Sequence, residues 1–201
     1  MLNQLLHKLL PPSEIRFDIH QPDSQSAVAA GIVDIVSSSG TACRDFVILC
    51  IGTDRSTGDS LGPLTGSKLQ SLVLYPHIFG TLDKPVHATN LAETLRLIQQ
   101  TFAQPFVIAV DACLGRVDSI GFVTLGRGPL KPGAAVNKDL PSVGDVYITG
   151  TVNVGGFMEH LVLQSTRLSL VVKMADAIAY GLAVSLAQLS VVATKERTPG
   201  E

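Results

Sequence analysis

Phe46-Val-Ile-Leu-Cys-Ile-Gly-Thr-Asp-Arg-Ser-Thr-Gly-Asp-Ser-Leu-Gly-Pro63 is the stretch on which the fold turns. Its unbroken apolar run, Phe46 to Ile51, predicts a strand buried on both faces, as in a parallel sheet covered by helices. The run stops at Gly52. The loop beyond it holds two carboxylates, Asp54 and Asp59, and one guanidinium, Arg55, before Pro63 sets the first turn of a helix. A second apolar run, Phe106-Val-Ile-Ala-Val110, ends the same way and delivers Asp111, followed by Ala112, Cys113, Leu114, Gly115 and Arg116. In open α/β sheets, ligands bind in the crevice beyond the carboxyl ends of the strands, so Asp59 and Asp111 are expected to face one another there.

Composition narrows the classes of function. The 201 residues predict a single α/β domain over 1–201, with flexible ends at 1–23 and 194–201. Charged residues make up 16%, and the mean hydropathy of +0.34 is high for a soluble monomer, which points either to a large core or to an apolar face buried in a homodimer. The net charge of −2 provides no basic field for nucleic acid or an anionic membrane. Trp is absent and aromatic residues are 5%, which also argues against a base-stacking surface. Three cysteines, Cys43, Cys50 and Cys113, lack the paired spacing of a zinc site or disulfide scaffold and fit a reducing cytoplasm. The apolar start, Met1 to Leu10, is too short for a membrane span or a signal peptide.

Along the chain, residues 1–23 read as a short amphipathic turn and a connector. Val28, Ile32, Ile35 and Val36 predict a helix from Ser24, closed by Ser37-Ser-Ser-Gly40. A helix is expected from Ser60 to about Leu72, and a short strand within 78–88, around Pro85-Val-His-Ala88. Asn90 is expected to cap a helix to Phe102 with Glu93 completing the capping pattern. Strands follow over Gly121–Leu125 and Asp145–Thr149, with 127–139 a loop over one edge, then a helix through Phe157, Leu161 and Leu163. The last element, Leu168 to Leu189, reads as a buried or subunit-pairing helix. The alternation gives a three-layer α/β fold, a mainly parallel sheet flanked by helices.

Four chemistries compete at the loops. Gly52 and Gly58 could cradle a phosphate at a helix N-terminus, yet no Gly-Lys-Ser/Thr ending is present and two aspartates would repel the anion. Gly58-Asp-Ser-Leu61 spells the block of the GDSL esterases, but no histidine has an aspartate three positions before it, and Ser60 reads as a helix N-terminal residue. Cys113 could act as a nucleophile with His87 or His160 as base, against the more ordinary reading of a packing residue. The fourth is a carboxylate pair: two carboxyls sharing a proton can activate a water and protonate a leaving group. Its competitor has Asp59 capping the next helix and Asp111 paired with Arg55 or Arg116.

Cys50 to Pro63, Val86-His-Ala-Thr-Asn90, Ile108-Ala-Val-Asp-Ala-Cys-Leu-Gly115 and Lys173-Met-Ala-Asp176 closely resemble the YyaC-type sporulation proteins of spore-forming bacteria. That family is similar to the germination protease, which degrades small acid-soluble spore proteins, and more distantly to the hydrogenase maturation proteases. The resemblance covers about residues 45 to 185. It implies that Asp59, in Asp-Ser-Leu-Gly-Pro63, and Asp111 match the two catalytic aspartates of the germination protease. In the maturation proteases the two positions help bind nickel with a third ligand, for which His160 or His87 is the nearest candidate here. Arg55-Ser56-Thr57 is particular to the YyaC group.

The resulting expectation is a phosphorylase/hydrolase-like α/β domain acting as an aspartate-pair peptidase without a cofactor. Asp59 and Asp111 are catalytic, and Gly52, Thr53, Asp54, Arg55, Ser60 and Asn90 hold substrate. If the enzyme is metal-dependent, the ligands are Asp59, Asp111 and His160. The resemblance implies a protein or peptide substrate, such as a small acid-soluble spore protein, in the cytoplasm of the sporulating cell. The competing expectation is a relative without enzymatic activity that binds a peptide, or a small anion at Arg55.

Overall fold

In the computed structural model, described for residues 14–39, 45–75, 77–133 and 140–196, six strands form one sheet in the order β1-β5-β6-β4-β2-β3. Strand β2 (Phe46–Cys50) lies beside β4 (Phe106–Gly115), in register from Phe46↔Phe106 to Cys50↔Val110. The other two parallel pairs join β2 to the short edge strand β3 (Ile78–Phe79) and β4 to β6 (Val146–Val154). Two strands run against this direction: β5 (Phe122–Arg127) pairs antiparallel with β6, and β1 (Glu14–Asp18) pairs antiparallel with β5.

Period-2 alternation divides the central strands between two cores. Ile48, Cys50, Ile108, Val110 and Ile148 face one side, where they pack with α1 (Ser24–Ser37), α2 (Leu61–Leu72), the short α4 (Glu159–Gln164) and α5 (Leu168–Glu196). Val47, Leu49, Ile51 and Ala109 face the other side, against Leu91 and Ile98 of α3 (Leu91–Thr101). Helices therefore cover both faces, and the three-layer, mainly parallel α/β architecture expected from the alternation is the one observed. The central strands read as continuous apolar runs because neither face meets water.

Several boundaries differ from the sequence expectation. The connector expected over 1–23 contains an edge strand at 14–18, with Phe17 packed onto the core and Glu14 and Arg16 exposed; residues 1–13 lie outside the described residues. The final helix runs seven residues beyond Leu189 to Glu196, and 197–201 lie outside the described residues. In place of a strand around Pro85, β3 forms at Ile78–Phe79, and Val86 makes a single parallel bridge to Ile51. Helix α3 does start after Asn90, but without a capping bond from its side chain, which turns back to accept from His87 N (2.8 Å) and donate to Pro85 O (3.0 Å). The loop expected over 127–139 falls partly outside the described residues, and so does Cys43.

Helix α5 contains a window, Leu168–Gln188, long and apolar enough by length and composition to cross a membrane, yet 56% of it is buried within the fold. Val171, Met174, Ile178 and Leu182 fill the core beneath α1 and the sheet, so the apolar character of this helix is spent on internal packing.

Candidate active site

The site forms where β2 and β4 emerge from the sheet. Gly52 turns the chain out of β2 at φ +142°, and its N–H donates to Val86 O (2.8 Å). The loop then folds back on itself, with Thr53 N donating to Asp59 O (3.1 Å). A Cβ at Gly52 would stand 2.0 Å from that same carbonyl, so a side chain there is excluded both by contact and by backbone conformation. Gly58–Ser60 form one 3-10 turn that leads into α2. Gly62 lets this helix touch the end of β2, since a Cβ there would meet Ile51 O at 2.0 Å. Asp59 is thereby held at a strand end by main chain on both sides.

Asp111 arrives differently. β4 does not end before it, as the sequence suggested, but continues to Gly115, so Asp111 is a mid-strand residue paired with Thr149. Alternation places it on the same face as Val107 and Ala109, toward α3. Its side chain is only 6% exposed, and its Oδ1 accepts from Ala112 N (2.8 Å). Burial pushes the carboxyl well above the ordinary carboxylate range, and the charge of Asp59 pushes it further; the Ala112 N–H opposes both. Arg116 plays no part, because it pairs with Asp118 (3.3 Å) at the surface. The structure thus joins Asp59 and Asp111 electrostatically and supports neither of the ion pairs that competed for Asp111.

Both aspartates border one cleft of about 730 Å³, of a size suited to a ligand or a peptide segment. Gly52, Thr53, Asp54 and Arg55 line it, as do His87, Cys113 and His160. Ser60 and Asn90 are not among its lining residues; the Ser60 hydroxyl donates to Thr57 O (2.7 Å), and Asn90 shapes the loop carrying His87. Residues that sequence reasoning passed over also line the cleft: Ser56, Lys131, Leu140 and Glu159. Ser56 was visible only as part of a motif and Lys131 only as part of a loop, and Leu140 fell between that loop and the next strand. Glu159 follows a Gly-Gly pair, and its Oε1 accepts from Gly156 N (3.0 Å).

Cys113 contacts Thr151 Oγ1 (3.4 Å), and burial pushes its thiol up, which opposes formation of a nucleophilic thiolate. Cys50 is fully buried, its thiol raised to about 12. His160 sits beside Gln164 (3.2 Å), and His87 Nδ1 beside Thr89 Oγ1 (2.8 Å). Among the described residues, no three His, Cys, Asp or Glu side chains gather closely enough to hold a metal ion. The alternative set of Asp59, Asp111 and His160 therefore borders the cleft without forming a coordination group.

Residues 19–181 match the family model described as protein of unknown function, DUF1256. The chain belongs to this family. It is 53% identical over 176 residues to "Uncharacterized protein YyaC" of Bacillus subtilis (strain 168), covering 86% of both chains, so this is the YyaC-type family that its motifs resemble. Among solved structures, the crystal structure of a [NiFe] hydrogenase maturation protease, HycI from Thermococcus kodakarensis KOD1, is similar at a TM-score of 0.47 and 18% identity, over 76% of this chain and 99% of that one. The family match includes β2, the Asp59 turn and all of β4, so both aspartates lie within the shared region.

Proposed function

We propose that this chain is a peptidase in which Asp59 and Asp111 act as a carboxylate pair. The observation that carries the reading is the state of Asp111, a buried carboxyl on the wall of an open cleft, raised by burial and by its neighbour Asp59. A buried carboxylate serving only the fold would be satisfied by a cation or several backbone donors; among the described residues Asp111 has one backbone N–H, from the residue after it. The resemblance of the Asp59 block to that of the germination protease supports the same assignment.

The roles follow from the asymmetry. Asp111 holds the proton and donates a hydrogen bond to the peptide carbonyl oxygen, while Asp59, more exposed, takes a proton from water. The water oxygen bonds to the carbonyl carbon, the C–N bond of the resulting tetrahedral species breaks, and the departing nitrogen receives the proton that Asp59 collected. Arg55 and Lys131, both exposed on the cleft, are placed to hold the carboxylates of an acidic protein substrate. These two cations also favour the competing reading, a protein that binds a peptide or small anion without cleaving it. Cleavage in the cytoplasm of the sporulating cell is part of the proposal.

Incubation of the pure protein with a spore protein extract, followed by mass spectrometry of the fragments, tests it. Discrete new termini are expected with the wild type and none with Asp59→Asn or Asp111→Asn. An undigested extract, or equal cleavage by the wild type and both variants, sinks the peptidase and leaves the binding reading.

A further inference from the structure

β4 is longer than its neighbour. β2 stops opposite Val110, where Ile51 N donates to Val110 O (2.7 Å), whereas β6 accompanies β4 to Gly115. From Asp111 onward, β4 has a strand on one side only among the described residues.

Main-chain direction alternates along β4. Phe106 N donates toward β2, to Asp45 O (2.7 Å), and Val110 O accepts from the β2 side, so the even-numbered residues face that edge. Val107, by contrast, bonds to Asp145, and Gly115 O accepts from Gly155 N (2.7 Å), so the odd-numbered residues face β6. Ala112 and Leu114 therefore turn their main-chain groups to the side that β2 has vacated, and both line the cleft. The Ala112 N–H is taken by Asp111. This leaves the Ala112 carbonyl and the Leu114 N–H and carbonyl with no strand partner among the described residues.

We propose that the uncovered edge of β4, Ala112 to Leu114, is a docking strand for an extended polypeptide, so that substrate is taken as an added strand in the cleft. The edge is about 10 Å long at about 3.3 Å per residue, enough to pair with about three residues of a guest. Addition of a strand to an exposed sheet edge is driven by main-chain hydrogen bonds and tolerates varied side chains. A guest paired with Ala112 lies one residue from Asp111, which brings its peptide bond to the carboxylate pair. A second observation on the same cleft points to a guest: Ser56 is 8% exposed, and its hydroxyl is buried with no hydrogen-bond partner among the described residues. An orphaned buried hydroxyl costs on the order of 1–3 kcal/mol, a cost that a hydrogen bond from a guest in the cleft would relieve. The substrate class is then an unfolded or strand-forming segment, and helical or folded segments are excluded.

The catalytic consequence rests on the peptidase reading, but the docking does not, and two measurements separate them. Amide exchange of Asp59→Asn, with and without excess reduced and carboxymethylated casein as an unfolded probe, is expected to slow the Leu114 N–H at least about tenfold while leaving Cys113, already paired to β6, unchanged. An unchanged Leu114 N–H overturns the docking strand. For a decapeptide spanning a mapped cleavage site, N-methylation at alternate positions is expected to cut kcat/KM at least about tenfold, and at the intervening positions to leave it within about twofold. A flat methylation scan on a peptide that is still cleaved overturns the docking and spares the peptidase. Absence of cleavage by the wild type, with Leu114 still protected, does the reverse.

Discussion

At the residue scale, Asp111 couples catalysis to stability. Its folded-state pKa lies above the unfolded value of about 3.9, so the native state binds the proton more tightly than the unfolded chain does. Its favourable contribution is complete below the unfolded pKa and is lost as pH rises through the folded one. Urea unfolding of the wild type should therefore show stability falling with pH over that window, and Asp111→Asn should flatten the fall and be the more stable protein at the alkaline end. Equal pH slopes for the two proteins would contradict the assignment. Asp59→Asn removes a charge that raises Asp111, so the Asp111 carboxyl titrates at lower pH in that variant; a 13C titration reads it directly. Cys113→Ala should keep activity, since burial raises its thiol. Ser56→Ala should not lower the unfolding midpoint, because no native hydrogen bond is removed, but should weaken peptide binding about tenfold. The aspartates were legible because carboxylates that end apolar runs stand out in a sequence. Ser56 was not, because an unsatisfied hydroxyl is a property of three-dimensional surroundings and leaves no trace in spacing.

At the element scale, the decisive junction is the passage from β2 into α2. Gly52 and Gly62 allow the loop to close on Asp59 and the helix to touch the strand end, with under 2.1 Å for a Cβ at either place. Gly52→Ala and Gly62→Ala are each expected to cost about 3 kcal/mol in urea unfolding and to reduce cleavage in any surviving folded fraction, since Asp59 shifts with its turn. A loss below about 1 kcal/mol would mean that the contact relaxes freely. The same junction explains which elements could be read from sequence. β2, α1 and α5 show long apolar periodicity and were located to within a few residues, apart from the extension of α5. β1 escaped because five residues of mixed polarity on a sheet edge need only one buried face, and Phe17 alone carries most of that signal. β4 was cut short at Asp111 because a carboxylate looks like a strand terminus. Its continuation is set by pairing with β6, a long-range partner that local pattern cannot reveal.

At the scale of the whole molecule, the exposed side of α5 sets the last expectation. Leu168, Val172, Asp176 and Tyr180 recur every four residues, so they form one stripe, and the apolar three are 56%, 38% and 44% exposed. Asp176 reaches Lys68 of α2 at 3.2 Å, and Leu72, one turn further along α2, is also exposed. Two helices thus present an apolar band with an ion pair within it, on the helical face of the sheet opposite α3. A self-complementary band of this kind is suited to a two-fold partner copy, which would bury the stripe against its own image. Light scattering on the wild type should give twice the chain mass of 21.2 kDa, and Val172→Glu with Tyr180→Glu should return it to 21.2 kDa. Both positions are surface sites of the single chain, so the double variant should unfold within about 1 kcal/mol of the wild-type monomer and keep its cleavage pattern. A wild-type particle of 21.2 kDa at micromolar concentration would show that the band is left to water or to a different partner.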